Sequence, residues 1–256
     1  MRACALAVLA TAGLAGSALA GPSDFASLVD ASRTFNDRPT SNLSFGTDFG
    51  AGTVSIVEDT YGAGGFANRH IAWFGDSGGS GLDFNYGWSY DMTTKLQVNQ
   101  ADNVGQVEAG FQVDNFGLGF FGVLTGNGEI AAFGGYLQFH SFGTGVYNVG
   151  DEVLLRMIYS QGGGENDSPA GTMEYMYNNL TTASGWVSSG ALAIGNLEGG
   201  IPSGGLGLHG VGAQINGADD TLGAVDVQFS MIQVTPTPAS AALLGLGGLV
   251  AMRRRR

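Results

Sequence analysis

Short runs rich in Val, Ile, Phe and Tyr recur along this 256-residue chain, and Gly, Asn, Asp and Ser separate them. Each run has the length of one β-strand, and strands at such spacing are typical of a sandwich or a barrel. The chain also holds 45 glycines, which suit tight turns better than helices, where each costs about 1 kcal/mol relative to alanine. The sequence therefore predicts one large all-β domain.

We expect strands at 53–58, 70–74, 95–99, 106–113, 117–124, 130–139, 152–160, 172–178, 185–194 and 224–234. Apolar and polar residues mostly alternate from Val225 to Val234, which indicates a strand with one buried and one solvated face. Helical pattern is scarce, and one short helix is expected at 23–29 with Ser23 as its cap. Packing two sheets face to face buries their apolar sides, so the predicted architecture is an antiparallel β-sandwich of the jelly-roll type.

The stretch from Gly150 to Tyr177, followed by Trp186 and a final strand near Val225, resembles the concanavalin A-like lectin and glucanase fold through its strand rhythm. The resemblance implies a ligand site on the concave sheet or its loops, although a fold alone does not assign a function. The two-glutamate motif of the related glucanases, E-x-D-x-x-E, does not occur. Glu108 and Glu174 are isolated carboxylates, which we expect to be exposed strand residues.

The first 20 residues have the pattern of a secretory signal peptide. Arg2 precedes an apolar stretch, and small residues at Ala18 and Ala20 come before Gly21. This pattern predicts cleavage after Ala20, while a buried N-terminal helix is the alternative. The sole cysteine, Cys4, lies in this leader, so the sandwich domain expected at 21–234 cannot form disulfides.

Residues 235–256 form a tail of three parts. These are Pro236-Thr237-Pro238, an uncharged segment at 239–252, and the terminal cluster Arg253, Arg254, Arg255 and Arg256. Fourteen helical residues span about 21 Å, less than the hydrocarbon core of about 30 Å. Arginine side chains reach the head groups and keep their charge on the cytoplasmic side. The tail therefore predicts a short transmembrane helix with the domain outside.

This tail resembles the PEP-CTERM sorting signal of Gram-negative and related bacteria, which an exosortase recognises and cuts. Thr237 stands where the family has a glutamate, which leaves the processing enzyme open. The resemblance implies passage through the secretion translocon, transient anchoring in the inner membrane, and cutting by an exosortase-type protease. It also implies a final place at the cell surface or in the extracellular matrix, in contact with extracellular polysaccharide. A permanent anchor and a basic nucleic-acid-binding tail are the alternatives.

The formal charge of −12 understates how acidic the expected domain is, because five of the ten basic residues lie in the two terminal segments. The expected domain therefore contains five basic residues and all 22 acidic ones. Such a surface repels phosphates, which excludes nucleic acid as a partner of the domain. It suits an exported protein or one that attracts divalent cations.

Two groups of residues are candidates for ligand binding. The aromatic residues Phe84, Tyr86, Trp88 and Tyr90 alternate, so on a strand their rings would share one face and could stack on sugars. A buried sheet face explains the same pattern. Asp219 and Asp220, in a Gly- and Asn-containing loop, are candidate calcium ligands, with a solvated turn as the alternative.

No catalytic constellation emerges from the sequence. The pentapeptide 75–79 matches the string around the nucleophile of chymotrypsin-like proteases but lacks their upstream histidine context, and a glycine-rich turn explains it. The three histidines are too far apart for a zinc motif, so no cofactor other than calcium is expected. The sequence favours a non-enzymatic surface or matrix protein. The alternative is a lectin-like carbohydrate-binding module or a glycoside hydrolase of the concanavalin A-like class.

Overall fold

The computed structural model describes residues 24–61, 67–101, 104–114, 117–162, 171–194, 205–217 and 223–237. The regular elements in these ranges are strands, which in chain order are β1 (Ser27–Asn36), β2 (Asn42–Asp48), β3 (Thr53–Tyr61), β4 (Ala67–Gly75), β5 (Asp83–Phe84), β6 (Tyr90–Gln100), β7 (Val104–Asp114), β8 (Leu118–Leu124), β9 (Glu129–Phe133), β10 (His140–Ser141), β11 (Glu152–Ser160), β12 (Thr172–Asn179), β13 (Val187–Ala193), β14 (Gly207–Gly217) and β15 (Gly223–Pro236).

The strands form two antiparallel sheets. Sheet A has the order β1-β4-β14-β7-β8-β9-β10, with β5 paired to β14, and sheet B has the order β13-β12-β11-β6-β15-β3-β2. Side chains of both sheets share one hydrophobic core. Phe121 of sheet A and Tyr175 of sheet B, for example, pack with ring centroids 5.1 Å apart. The all-β antiparallel sandwich expected from the sequence is thus confirmed.

Alternation along the strands places the core between the sheets. In β6 and β11, every second side chain is buried, and the residues between are half-buried or exposed on the outer face. This period of two is the signal that the sequence carries for half-buried strands.

Two local expectations are wrong. The helix expected at 23–29 is replaced by β1, in which Ser27 pairs with Gly75 and Leu28 with Phe74. The strand expected at 130–139 ends at Phe133, because Gly134 and Gly135 adopt φ values of 77° and 55°. Only glycine enters that region readily, so the chain turns there.

The two terminal segments are largely outside the described residues. The leader at 1–20, Pro238 and the four terminal arginines fall there. Strand β15 continues to Pro236, which pairs with Tyr90, and the backbone N–H of Thr237 donates to the carbonyl of Ser89 at 2.9 Å. The described ranges contain no helix with the length and apolar character needed to cross a membrane.

Candidate functional site

The outer face of sheet B is a polar surface. Arg156 donates from Nε to Oδ1 of Asp91 at 2.9 Å, and Lys95 Nζ lies 2.7 Å from Oε1 of Glu152. Ion pairs at such partly exposed positions stabilise by about 0 to 1 kcal/mol. This face therefore has the character of an ordinary solvated sheet face.

A shallow depression of about 420 Å³ lies on this face where β2, β3 and β15 adjoin. Small and polar residues line it: Gly46, Thr47, Asp48, Thr53, Ser55, Gln228, Phe229 and Ser230. Within it, Gln228 Nε2 donates to the hydroxyl of Ser55 at 2.8 Å. The side chains of the depression thus bond to one another.

The outer face of sheet A has a different character. Ile71, Trp73, Phe120 and Ala131 point away from the core, yet they are buried, with Ile71 fully so. They are also absent from the main core cluster. Antiparallel sheets commonly pack one face on the core and leave the other to solvent. Sheet A instead carries a second apolar strip, formed by these four residues, on its outer side.

A line of glycines crosses this outer face. Gly212 pairs with Gly110, which pairs with Gly122, on the neighbouring strands β14, β7 and β8. A β-carbon on Gly110 would collide with the carbonyl oxygen of Phe121, and one on Gly122 with that of Ala109. The strands approach so closely along this glycine line that no side chain fits. Glycine inside a strand often marks such a close approach of backbone or of a ligand.

A row of longer side chains runs beside the glycine line. Arg69 of β4 pairs with Gln214 of β14, which pairs with Glu108 of β7. Glu108 pairs with Leu124 of β8, and Leu124 with Glu129 of β9. All five are half-buried. This cross-strand row spans five strands with one side chain per strand, so successive members are about 4.8 Å apart at the backbone.

The charged end of the cross-strand row is organised around Arg69. Its Nη2 donates to Oε1 of Gln214, and Gln106 Nε2 donates to Oε1 of Glu108 at 2.8 Å. Burial lowers the pKa of Arg69, and the charge of Glu108 acts in the opposite direction. The Nε of Arg69 is buried and has no hydrogen-bond partner among the described residues. Buried donors are normally satisfied by protein or water, so this N–H is an exception among the described residues.

The other end of the row is Glu129. It accepts hydrogen bonds from the hydroxyl of Ser141 and from Nδ2 of Asn127, the latter at 3.1 Å. Glu108 and Glu129 lie on the same face with one strand between them, which places their backbones about 9.6 Å apart. The row therefore presents two carboxylates and one guanidinium.

Aromatic side chains border the glycine line on its other side. Trp73, Gln112 and Phe120 occupy one row of the sheet register, with Gly210 between Trp73 and Gln112. Phe133 continues it, with its ring centroid 5.2 Å from that of Phe120. On the outer face of sheet A, the aromatic row of buried Trp73 and Phe120 and half-buried Phe133 thus lies on one side of the glycine line, and the half-buried cross-strand row lies on the other.

The aromatic residues expected as a sugar platform do not form one strand face. Phe84 ends the two-residue strand β5, Tyr86 and Trp88 lie in the following turn, and Tyr90 begins β6. Phe84, Tyr86 and Tyr90 are buried members of the core, and Trp88 packs against it. The structure therefore corrects the shared-face expectation, because a turn interrupts the alternation.

The other candidates from the sequence either lie outside the described residues or form part of a turn. Asp219 and Asp220 lie outside the described residues, so their calcium site stays a prediction. The residues that the structure describes contain no group of three or more His, Cys, Asp or Glu arranged to hold a metal. The 75–79 pentapeptide is a turn, in which Oδ1 of Asp76 accepts the backbone N–H of Gly78 at 2.8 Å.

A carboxylate is buried between the sheets at the β3–β4 side. Glu58 is fully buried and accepts from Nδ2 of Asn68 at 2.6 Å, from the hydroxyl of Ser41, and from Nε2 of His70 at 3.2 Å. Nδ1 of His70 accepts the backbone N–H of Arg33, so the ring proton is on Nε2. Burial would raise the pKa of Glu58, but the hydrogen bonds from these three side chains outweigh it, and the pKa lies below its usual value.

A second buried group surrounds His209. Its Nε2 lies 2.9 Å from the hydroxyl of Tyr90 and 3.0 Å from that of Tyr136, and Nδ1 donates to the carbonyl of Gly207 at 3.2 Å. Phe84 covers the ring at a centroid distance of 4.1 Å. Burial lowers the pKa of His209 to about 3. The ring is therefore neutral at physiological pH and acts as a structural acceptor.

We expect acid to unfold the protein through His209. In the unfolded chain its pKa is near 6.5, so protons bind the unfolded state preferentially once the pH falls below that value, and stability declines until the pH approaches 3. The loss between pH 7 and pH 4 should be a few kcal/mol. Urea unfolding at both pH values measures it.

The controls for this pH effect are two glutamine variants. His209→Gln keeps an acceptor for the tyrosines but does not titrate, so it should reduce the difference between the two pH values. His140→Gln, at a half-buried site, should leave most of it. An unchanged difference in His209→Gln would contradict the assignment.

Comparison with known proteins gives structural likenesses only. No family model matches the chain, and no curated protein matches it. The Lotus tetragonolobus seed lectin aligns over 82% of this chain and 99% of its own, with 10% identity and a TM-score of 0.43. A family 7 alginate lyase aligns over 75% and 80%, with 12% identity and a TM-score of 0.43. A protein of unknown function from Saccharomyces cerevisiae aligns over 77% and 96%, with 13% identity and a TM-score of 0.43.

Sequence reasoning missed most of the cross-strand row. Glu108 stands out as an isolated carboxylate, but Arg69, Gln214 and Glu129 carry no motif. Strand β14 was not predicted, because Gly210 and Gly212 stand at alternate positions where a strand pattern would have larger side chains. A strand prediction there would have placed Gln214 on the same face as Gly210 and Gly212.

Proposed function

We propose that this chain is an exported surface or matrix protein that binds extracellular polysaccharide on the outer face of sheet A. The single observation that carries the proposal is the cross-strand row beside a glycine line and an aromatic row. Polysaccharides present hydroxyl edges and apolar ring faces, and the two rows match these two kinds of surface. A jelly-roll sandwich of the concanavalin A-like kind is the architecture that we propose for it.

The charges of the row favour an uncharged polymer. Glu108 lies two strands from Arg69, and its charge offsets that of the guanidinium. Glu129 adds a second carboxylate. Together with a net charge of −12, this surface repels polyanions. The carboxylates of Glu108 and Glu129 and the amide of Gln214 are half-buried and can each bond to sugar hydroxyls. A neutral chain lying across the strands would meet one side chain per strand.

The test is binding of the purified protein to a panel of neutral and acidic polysaccharides. We expect a neutral polymer to bind, and Glu108→Ala or Gln214→Ala to weaken its binding about tenfold through loss of a hydrogen bond. Glu174→Ala is the matched control, because Glu174 is a half-buried carboxylate on the outer face of sheet B. Equal weakening in all three variants, or binding to acidic polymers alone, would overturn the proposal.

A glycoside hydrolase is the second candidate. Inverting enzymes place their two carboxyl groups about 6.5 to 9.5 Å apart, and the backbones of Glu108 and Glu129 are separated by two strand spacings of about 4.8 Å each. Release of reducing ends from the polymer that binds, abolished by Glu108→Gln, would favour hydrolysis. Binding without release would leave the non-enzymatic function.

Export and processing form the other half of the proposal. It rests on the signal pattern at 1–20 and the tail at 235–256, with its Pro236-Thr237-Pro238 motif and terminal arginines. Mass spectrometry of the protein from its native host should find a chain that begins at Gly21 and has lost the arginine cluster. A full-length chain in the cytosol would contradict export, whereas an intact tail in the membrane fraction would indicate a permanent anchor.

A further inference from the structure

The four outermost strands of the two sheets differ in how regular they are. An exposed strand edge offers unpaired N–H and C=O groups to another strand, and native proteins usually interrupt such edges with bulges or keep them short. Sheet A ends in β1 and β10, and sheet B in β13 and β2. Three of these four edges carry such an interruption.

The interruptions are visible in the backbone. β1 has a register shift between Ala31 and Phe35, where Arg33 has a φ of 55°. β10 has two residues only. β13 has a register shift opposite Glu174 and Met176, and its Gly190 has a φ of 69°. Each irregularity breaks the row of backbone groups that a further strand would need.

Strand β2 has no such interruption. Its seven residues pair one for one with β3, from Asn42 with Asp59 to Asp48 with Thr53. In the part of the chain that the structure describes, β2 has a strand on one side only. Its interior, from Leu43 to Thr47, carries no charge. The outer edge of β2 is thus long and regular, and its interior is uncharged.

The sequence of β2 is also complementary to itself. When two copies are placed antiparallel with Phe45 opposite Phe45, Asp48 faces the amide residue Asn42 rather than another carboxylate. Leu43 then faces Thr47, and Ser44 faces Gly46. Cross-strand aromatic and apolar pairs stabilise such a ladder, whereas like charges directly opposite would destabilise it.

Small residues leave room for this contact. Gly46 is exposed, and a β-carbon on it would meet nothing within 4 Å. Phe49, directly after β2, is 42% exposed, and its ring packs edge-on against Phe25 at a centroid distance of 5.1 Å. A contact that relates a strand to itself is isologous, as in the common twofold dimers.

We propose that two copies of this chain pair through β2 and join their B sheets into one continuous antiparallel sheet. The pairing does not depend on the polysaccharide site, which lies on the other sheet. The paired dimer would carry two polysaccharide sites, and two linked sites strengthen binding to a repetitive polymer.

The first experiment compares two substitutions at Gly46 in the full chain. Sedimentation or light scattering should show a wild-type dimer, and Gly46→Ala should retain it. Gly46→Lys should raise the dimer dissociation constant at least about tenfold by placing a charged side chain beside each edge, without changing the melting temperature. Because the protein is acidic, a lysine would strengthen non-specific association, so weakening is specific to the edge. Equal association of both variants, or a monomeric wild type, would overturn the proposal.

The second experiment tests the register. In a Cys4→Ser background, the double variant Ser44→Cys, Gly46→Cys should form intermolecular disulfides on mild oxidation, since residues 44 and 46 face each other across the twofold axis. The matched variant Ser188→Cys, Gly190→Cys on the edge β13 should not. Cross-linking through β13 instead of β2 would contradict the assigned edge.

Discussion

Replacing Glu58 with alanine is expected to lower the free energy of unfolding by about 3 to 5 kcal/mol, as for other buried charge networks that lose one partner. Asn68, His70 and Ser41 all donate to this carboxylate, and Arg33 Nη1 lies 3.7 Å from Oε1. Without it, the Nε2–H of His70 loses its acceptor. The side chains of Ser41 and Asn68 keep the carbonyl of Arg38 as an acceptor. Chemical denaturation followed by tryptophan fluorescence measures the change.

The control for Glu58 is Glu174→Ala. Glu174 accepts a hydrogen bond from the hydroxyl of Ser188 on the outer face of sheet B, where substitutions usually change stability by about 0.5 kcal/mol or less. A similar loss in the two variants would show that the buried network contributes no more than a surface contact. Glu58→Gln should fall between them, because the amide keeps one acceptor but turns an NH₂ group toward donors.

Replacing Gly110 with alanine is expected to cost about 3 kcal/mol, the upper part of the range for overpacking. The new β-carbon would collide with the Phe121 carbonyl and lie 2.5 Å from Cα of Gly122, both of which are backbone atoms of the next strand. Neither can move without separating β7 from β8. The melting temperature measured by circular dichroism reports the loss.

Gly46→Ala is the matched substitution for Gly110→Ala. Gly46 also lies in a strand, but a β-carbon there meets no atom within 4 Å. Alanine at a compatible position is neutral or stabilises slightly, because it restricts the unfolded chain. If both variants lost the same stability, the cost would come from strand propensity and not from the close approach along the glycine line.

The alternation of residues was sufficient to predict the sandwich but not its sites. Strand β15 follows from the sequence because apolar and polar residues mostly alternate in it. The same alternation places Glu58 on the core face of β3 with Val54 and Ile56, but only the fold brings Asn68 and His70 of β4 to it. Contacts between strands far apart in sequence cannot be read from local pattern.

Glycine explains two further misses. In β14, glycines occupy alternate positions on the outer face, so the sequence lacks the pattern of a strand and predicts a loop there. In the aromatic run from Phe84 to Tyr90, Gly87 lies in a turn that separates rings expected on one face. The residue that permits the close strand contacts is therefore the one that conceals them in the sequence.

The position of the last two strands has a consequence for how the chain folds. β14 lies between β4 and β7, and β15 between β6 and β3, so the last two strands that the structure describes lie in the interior of both sheets. Neither sheet can close before residues 207–236 are available, and such distant pairings make folding slow. Strands β3, β4, β6 and β7 therefore each lack one neighbouring strand until residues 207–236 have been synthesised.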